Sequence, residues 1–298
     1  MKLDIGYFAD GPWSHHAFQK LVKDPDISIK FICVRFETKD EILKQYAAQY
    51  NVDYLMHKNI NSKDFIQRIA QYNCNLFVSM SFNQIFSNEV FNLPKLKTIN
   101  CHAGKLPFYR GRNILNWALI NDEKEFGITV HFVDDGIDTG DILLQEVFPI
   151  SNGDDYSTLL KVAHIECANI LYKAVKLIKN QCFDVIKQKD IDPYGHYCLR
   201  RKRGDEIINW NNTSRVIFNF IRAICYPGPM ARSLVNGSEI KINKIEVVKN
   251  HLEFNAEIGV VVKIENSGCY VKTQDGAVKI LEYEFEGKLA IGDLLDKK

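Results

Sequence analysis

The chain has 298 residues, 46% of them hydrophobic and 25% charged, and a formal net charge of +1. That length exceeds the usual single domain, so a large domain plus a smaller one is expected, and the composition excludes an extended disordered chain. A charge this close to neutral gives no long-range attraction to nucleic acid or to an anionic membrane.

The opening run MKLDIGYFAD carries Asp4 and Asp10 within its apolar stretch, which argues against a secretory leader and against a membrane span. LDIGYF, ISIKFICV, NLFVSM and LKTINC read as buried strands, while HHAFQKLV, KDEILKQYAAQY and KDFIQRIAQY read as the helices between them. This alternation predicts an α/β, Rossmann-like, mainly parallel sheet with helices on both faces. NILNWALIN then reads as a helix, GITVHFVDD and DILLQEVFPI as strands, and YSTLLKVAHIECANILYKAVKLIK as a long amphipathic helix. Polar and basic residues dominate 181–204, which reads as a linker after a catalytic domain over 1–180. Over 205–298 the helix SRVIFNFIRAI precedes the alternating segments SEIKINKIEVV, GVVVKIEN, GCYVKT and GAVKILEYEFE. They predict a smaller C-terminal β-barrel-like, OB-like domain.

The eight cysteines form no CxxC pair and several lie in apolar runs. They read as reduced thiols of a cytoplasmic protein, with no metal site. No GxxxxGK[ST] or GxGxxG occurs, so nothing in the chain points to ATP or NAD.

Asn100 and His102 stand where the strand LKTIN ends, and Asp138 lies in the loop VDDGIDTG after another strand. Ligands of such sheets bind outside the carboxyl ends of the strands. Taken singly, a histidine after a strand is more often a hydrogen-bonded structural residue than a catalyst, and DDGIDTG reads as a turn. Together the three suit acyl transfer to an amine. The imidazole takes the amine's proton, the amide stabilises the developing oxyanion, and the carboxylate orients the imidazole and stabilises its cation. The amine is itself the nucleophile, so no covalent nucleophile is needed.

NCH, LPFYRGRN, GITV and VDDGIDTG, in that order from Asn100 to Gly140, closely resemble the signature of formyltransferases that use N10-formyltetrahydrofolate. The resemblance continues into DEIINWNNTSRVIFNFIRAICYPGPMA and so covers most of the chain. One departure is GKLP, where Lys105 replaces an apolar residue and is expected to point outward. The resemblance implies the catalytic triad Asn100, His102 and Asp138. It also implies a pterin slot beside SMSFNQIF, held by backbone near Met80, Phe82 and Ile85, with Asp134 and Asp135 nearby.

The family formylates methionyl-tRNA, glycinamide ribonucleotide or nucleotide-linked amino sugars. A tRNA enzyme needs basic surface, but residues 205–298 hold twelve Lys and Arg against thirteen Asp and Glu, a net −1. The basic insertion that tRNA formylases carry after the second strand is also missing from CVRFETKDEILKQY. YRGRNILNW and ADGPWSHHAF resemble runs of the sugar N-formyltransferases. The expected acceptor is therefore a nucleotide-linked 4-amino or 3-amino deoxysugar, with dTDP as the carrier, made for surface polysaccharide; the alternative is methionyl-tRNA. Trp13, Tyr109, Arg110 and Arg112 are the expected substrate contacts, the arginines facing a pyrophosphate and Trp13 a sugar or base. Members of the family are often dimers, and a homodimer is expected.

Overall fold

A computed structural model describes residues 2–248 and 255–296. In chain order the elements are β1 Leu3–Ala9, α1 Gly11–Val22, β2 Ile27–Val34, α2 Glu41–Tyr50, β3 Asp53–Met56, α3 Lys63–Ala70, β4 Leu76–Met80, α4 Asn88–Phe91, β5 Thr98–His102, β6 Arg110–Gly111 and α5 Ile114–Ile120. They continue as β7 Glu125–Phe132, β8 Ile142–Pro149, α6 Tyr156–Lys179, α7 Gln188–Ile191, β9 Tyr197–Cys198, α8 Ser214–Ile224, β10 Ala231–Val235, β11 Ser238–Val247, β12 Val261–Glu265, β13 Gly268–Lys272, β14 Ala277–Glu284 and β15 Leu295–Asp296. The chain divides into two compact units. The first comprises Met1–Ile114, Phe126–Phe148 and Lys161–Cys198; the second comprises Leu115–Glu125, Pro149–Leu160 and Leu199–Lys298.

The first unit is built on a seven-stranded sheet of order β3-β2-β1-β4-β5-β7-β8. Its pairs β2/β3, β1/β2, β1/β4 and β4/β5 are parallel, and β5/β7 is antiparallel. Apolar runs with little alternation form these strands because both faces of such a sheet are covered. Phe8 of β1 anchors the core, with edge-on contacts to Phe31, Phe77, Phe82 and Phe86 at centroid distances of 4.9–5.5 Å. Such aromatic pairs add to burial through the attraction of ring edges to ring faces. The reversal of strand order falls between β1 and β4, and the chain ends of β4 and β5 open on the same side as the loops that follow them. Asp40 caps α2 by accepting from the Leu43 N–H at 2.9 Å, which lets the helix start six residues after β2.

The second unit carries a curled antiparallel sheet of order β12-β13-β14-β11-β10-β15. Its two ends meet at the bridge between Val260 and Leu294, so the exposed edges largely vanish. The strand β10 was absent from the sequence reading. It is five residues long and turns into β11 through Asn236–Gly237, both at positive φ, the tight hairpin pair that matches strand twist. β3, a four-residue edge strand with one fully buried side chain, was missed for the same lack of length. All eight cysteines are free thiols. No helix among the described residues is long and apolar enough to cross a membrane.

Candidate active site

Asn100, His102 and Asp138 converge in the first unit. The antiparallel register of β5 on β7 places Asn100 opposite His131 and His102 opposite Thr129. His102, 8% exposed, has its Nε2 at 2.7 Å from the Tyr109 carbonyl oxygen. A carbonyl only accepts, so this nitrogen carries the proton and donates. The other nitrogen, Nδ1, lies 3.6 Å from Asp138 Oδ2 and is the one able to gain or lose a proton.

Asp138 sits at φ 56° in a loop stitched by Asp134, whose Oδ1 accepts from Gly136 N at 3.1 Å and Thr139 Oγ1 at 2.5 Å. Gly140 closes the loop where a Cβ would lie 1.9 Å from the Phe132 carbonyl oxygen. Asp138 Oδ2 accepts from Gly111 N at 2.9 Å, and Oδ1 lies 3.5 Å from His131 Nε2. Burial by itself raises the pKa of this carboxyl. The charge of His102, the bond and charge of His131 and the Gly111 N–H outweigh burial and hold it well below the usual carboxylate range. His131 donates through Nδ1 to the Phe132 carbonyl at 2.8 Å. Its Nε2 meets the Asn100 amide at 3.2 Å and Asp138 at 3.5 Å; neutral it accepts from the first, charged it donates to the second. Asn100 keeps a second amide hydrogen for an oxyanion.

A fixed amide, an imidazole with one nitrogen tied to a backbone carbonyl and the other facing an ionised carboxylate are groups able to act as oxyanion donor and general base toward an amine attacking a carbonyl. The formyl transferase family model matches residues 28–175, and the model of its C-terminal domain matches 201–292. A methionyl-tRNA formyltransferase of Thermodesulfovibrio yellowstonii is 34% identical over 246 residues, 83% of this chain and 77% of that protein. The chain belongs to the formyltransferase family. It is a one-carbon transferase. The formyltransferase also shares its fold with a solved sugar 3N-formyl transferase in the presence of dTDP and 5-N-formyl-THF, at TM-score 0.70 and 22% identity over 97% of this chain and 100% of the other. It is similar too to an N-formyltransferase from Helicobacter canadensis in complex with folinic acid and dTDP-3-aminofucose, at TM-score 0.68 and 22% identity over 94% and 99%.

The other residues singled out in the formyltransferase are placed unevenly. Met80 is buried at the end of β4, Phe82 packs on Phe8, and Ile85 is 65% exposed, so the stretch after β4 passes from core to surface. The carbonyl of Met80 accepts from Asp10 N at 3.3 Å and that of Ile85 from Asn61 Nδ2 at 2.9 Å, leaving one lone pair each for a ligand. The Asp134 carboxylate is engaged within its own loop, and Asp135 is exposed. Trp13 packs edge-on against His164 at 4.6 Å, and Arg112 is exposed. Lys105 is half-buried, with its Cα, Cβ and Cγ lying over Gly127.

Arg110 is corrected from a pyrophosphate contact to an internal brace. Its guanidinium is buried, donating through Nε and Nη2 to Gln188 Oε1 at 3.1 and 2.8 Å and through Nη1 to the Tyr194 carbonyl at 3.2 Å. Three of its five N–H groups are thus committed within the protein, the Nε/Nη2 edge to Gln188. Tyr109 serves through its carbonyl, while its buried ring packs on His196. His131, Gln188 and His196 were missed by the sequence reading. Only His131 had a signal: a lone imidazole in the β-branched strand GITVHF. The other two lie in or beside α7 and β9, in the polar stretch expected as a linker, part of which is hydrogen-bonded into this unit.

Gly104 supplies a sharp local test. A Cβ there would fall 2.4 Å from His102 Nε2 and 2.5 Å from the Tyr109 carbonyl oxygen, within the bond that fixes the imidazole. Gly104→Ala is therefore expected to lower kcat by about 10²-fold, as a displacement near 1 Å does. Steady-state kinetics beside thermal melts check this, an unchanged kcat removing the bond's importance.

Proposed function

We propose that this formyltransferase moves the formyl group of N10-formyltetrahydrofolate onto the amine of a nucleotide-linked amino sugar. The amine attacks the formyl carbon, whose oxygen is held by the Asn100 amide. His102 Nδ1 takes a proton from the attacking nitrogen, Asp138 stabilises the resulting imidazolium, and the carbon–N10 bond breaks as N10 gains a proton. The observation that carries the sugar reading is the absence of a polyanion platform. β2 reaches α2 through only residues 35–40, and residues 205–298 have a net charge of −1, whereas phosphate contacts dominate affinity for tRNA. The fold shared with two sugar-modifying enzymes over nearly the whole chain supports the same reading.

A second reading, formylation of methionyl-tRNA, is favoured by the 34% identity to the Thermodesulfovibrio yellowstonii enzyme. The two separate in one experiment. The protein is incubated with N10-formyltetrahydrofolate and, in parallel, a panel of dTDP-, UDP- and GDP-linked amino sugars and charged methionyl-tRNA. A formyl mass increment on a sugar is the expected result. An increment on tRNA alone, with affinity falling steeply as salt rises, would replace the sugar reading with the tRNA one.

A further inference from the structure

Gln188 opens α7, yet its side chain is only 2% exposed. Its Oε1 accepts both bonds from Arg110, at 3.1 and 2.8 Å, and its Nε2 donates to the carbonyl oxygens of Asp138 at 2.9 Å and Gly140 at 2.7 Å. The amide orientation is forced, because guanidinium only donates and carbonyls only accept. One side chain thus ties β6 to both ends of the turn that presents Asp138. The same part of the chain also reaches His102. The His196 Nε2 accepts from the Tyr109 N–H at 3.4 Å, the His196 carbonyl accepts from Arg110 N at 3.1 Å, and the Tyr109 carbonyl is the acceptor for His102. β9 pairs with β6 through Arg110–Tyr197 and Gly111–Cys198, and Gly111 holds the Asp138 carboxylate.

We propose that Gln188 is a positioning residue for the formyl-transfer reaction, its amide N–H groups holding Asp138 at its working distance from His102, with Arg110 as its anchor. An aspartate tolerates φ 56° better than most residues but still at some cost, and the two Gln188 N–H bonds are donors from outside the loop that help hold it there. The inference rests on Asp138 being the catalytic carboxylate, which Asp138→Asn alone checks.

The test uses the full chain with Gln188→Glu and Gln188→Met. The glutamate, ionised beside Arg110, still accepts both guanidinium bonds but offers no N–H to the loop; the methionine keeps the shape and loses all four bonds. With the acceptor identified by mass shift, kcat is expected to fall roughly 10–100-fold in both variants while KM for N10-formyltetrahydrofolate stays within about threefold. On an Asp138→Asn background, Gln188→Glu is expected to add less than about threefold, since the two act as one unit. A second readout needs no acceptor. Carbon-13 carboxyl NMR, with Asp138 assigned by the signal lost in Asp138→Asn, is expected to show its titration midpoint rising by about one unit in both variants. A Gln188→Glu protein with wild-type kcat and an unmoved Asp138 midpoint overturns the proposal. So does a fall in kcat with the midpoint unmoved, a rise in KM with kcat unchanged, or loss of the native circular dichroism in both variants, which would make Gln188 a folding residue only.

Discussion

Replacing His102 with alanine is expected to lower the rate of formyl transfer by roughly 10²–10⁴-fold while the protein stays folded. The imidazole sits at the end of β5 with Nε2 committed to the Tyr109 carbonyl and Nδ1 facing Asp138, so one nitrogen is fixed by a backbone acceptor and the other is turned to an ionised carboxylate. Its removal takes away one hydrogen bond to the Tyr109 carbonyl, a loss of about 1 kcal/mol. For a chain of this size that corresponds to a fall in melting temperature of a few degrees. Single-turnover transfer and a thermal melt are measured on the same preparation. A rate near wild type would remove His102 from the chemistry, and a collapse of the melt would show that the imidazole is needed for the fold instead.

Asp138→Asn is expected to cost roughly 10³–10⁴-fold in kcat, the scale seen when a carboxylate that orients a catalytic imidazole becomes an amide. Asn can still accept from Gly111 N, so the loop is kept while the charge facing His102 and His131 is lost. The same substitution has a signature in stability. The folded-state pKa of Asp138 is depressed, because His102, His131 and the Gly111 N–H outweigh burial. A depressed carboxylate contributes stability that is fully present above its unfolded value, near 3.9, and is lost as pH falls through the folded value. The difference in denaturation midpoint between wild type and Asp138→Asn should therefore be flat above about pH 5 and shrink below about pH 4. A difference that instead grows as the solution is acidified would show that Asp138 is not held in its charged form.

The longer helices and strands of the first unit were legible because they are strongly patterned. α6 runs over the same residues, Tyr156–Lys179, that the apolar spacing marked out, and β2 coincides with ISIKFICV. The strands that escaped are short: β3, β6, β9 and β15 have four residues or fewer and β10 has five, and strands of that length offer few positions to show a period.

The chemistry-bearing residues followed the same division. Asn100, His102 and Asp138 could be named from the chain alone, because a strand end two residues deep and an acidic glycine-containing loop are local patterns that need specific side chains. Their partners could not. His131 faces Asn100 through the antiparallel register of β5 on β7, and Gln188 meets Arg110 across 78 positions of sequence, inside a stretch whose polarity suggested a solvated linker. Polarity reports what a side chain prefers in water, whereas a buried amide with four hydrogen bonds is satisfied without it. The same reason reversed the reading of Arg110: a guanidinium beside a glycine in a loop suggests an anion, until packing supplies its acceptors. The sequence by itself pointed to the proposed reacting groups and determined the architecture that carries them. The tertiary structure decided how those groups are held, because hydrogen bonds between distant residues depend on which surfaces the folded chain brings together.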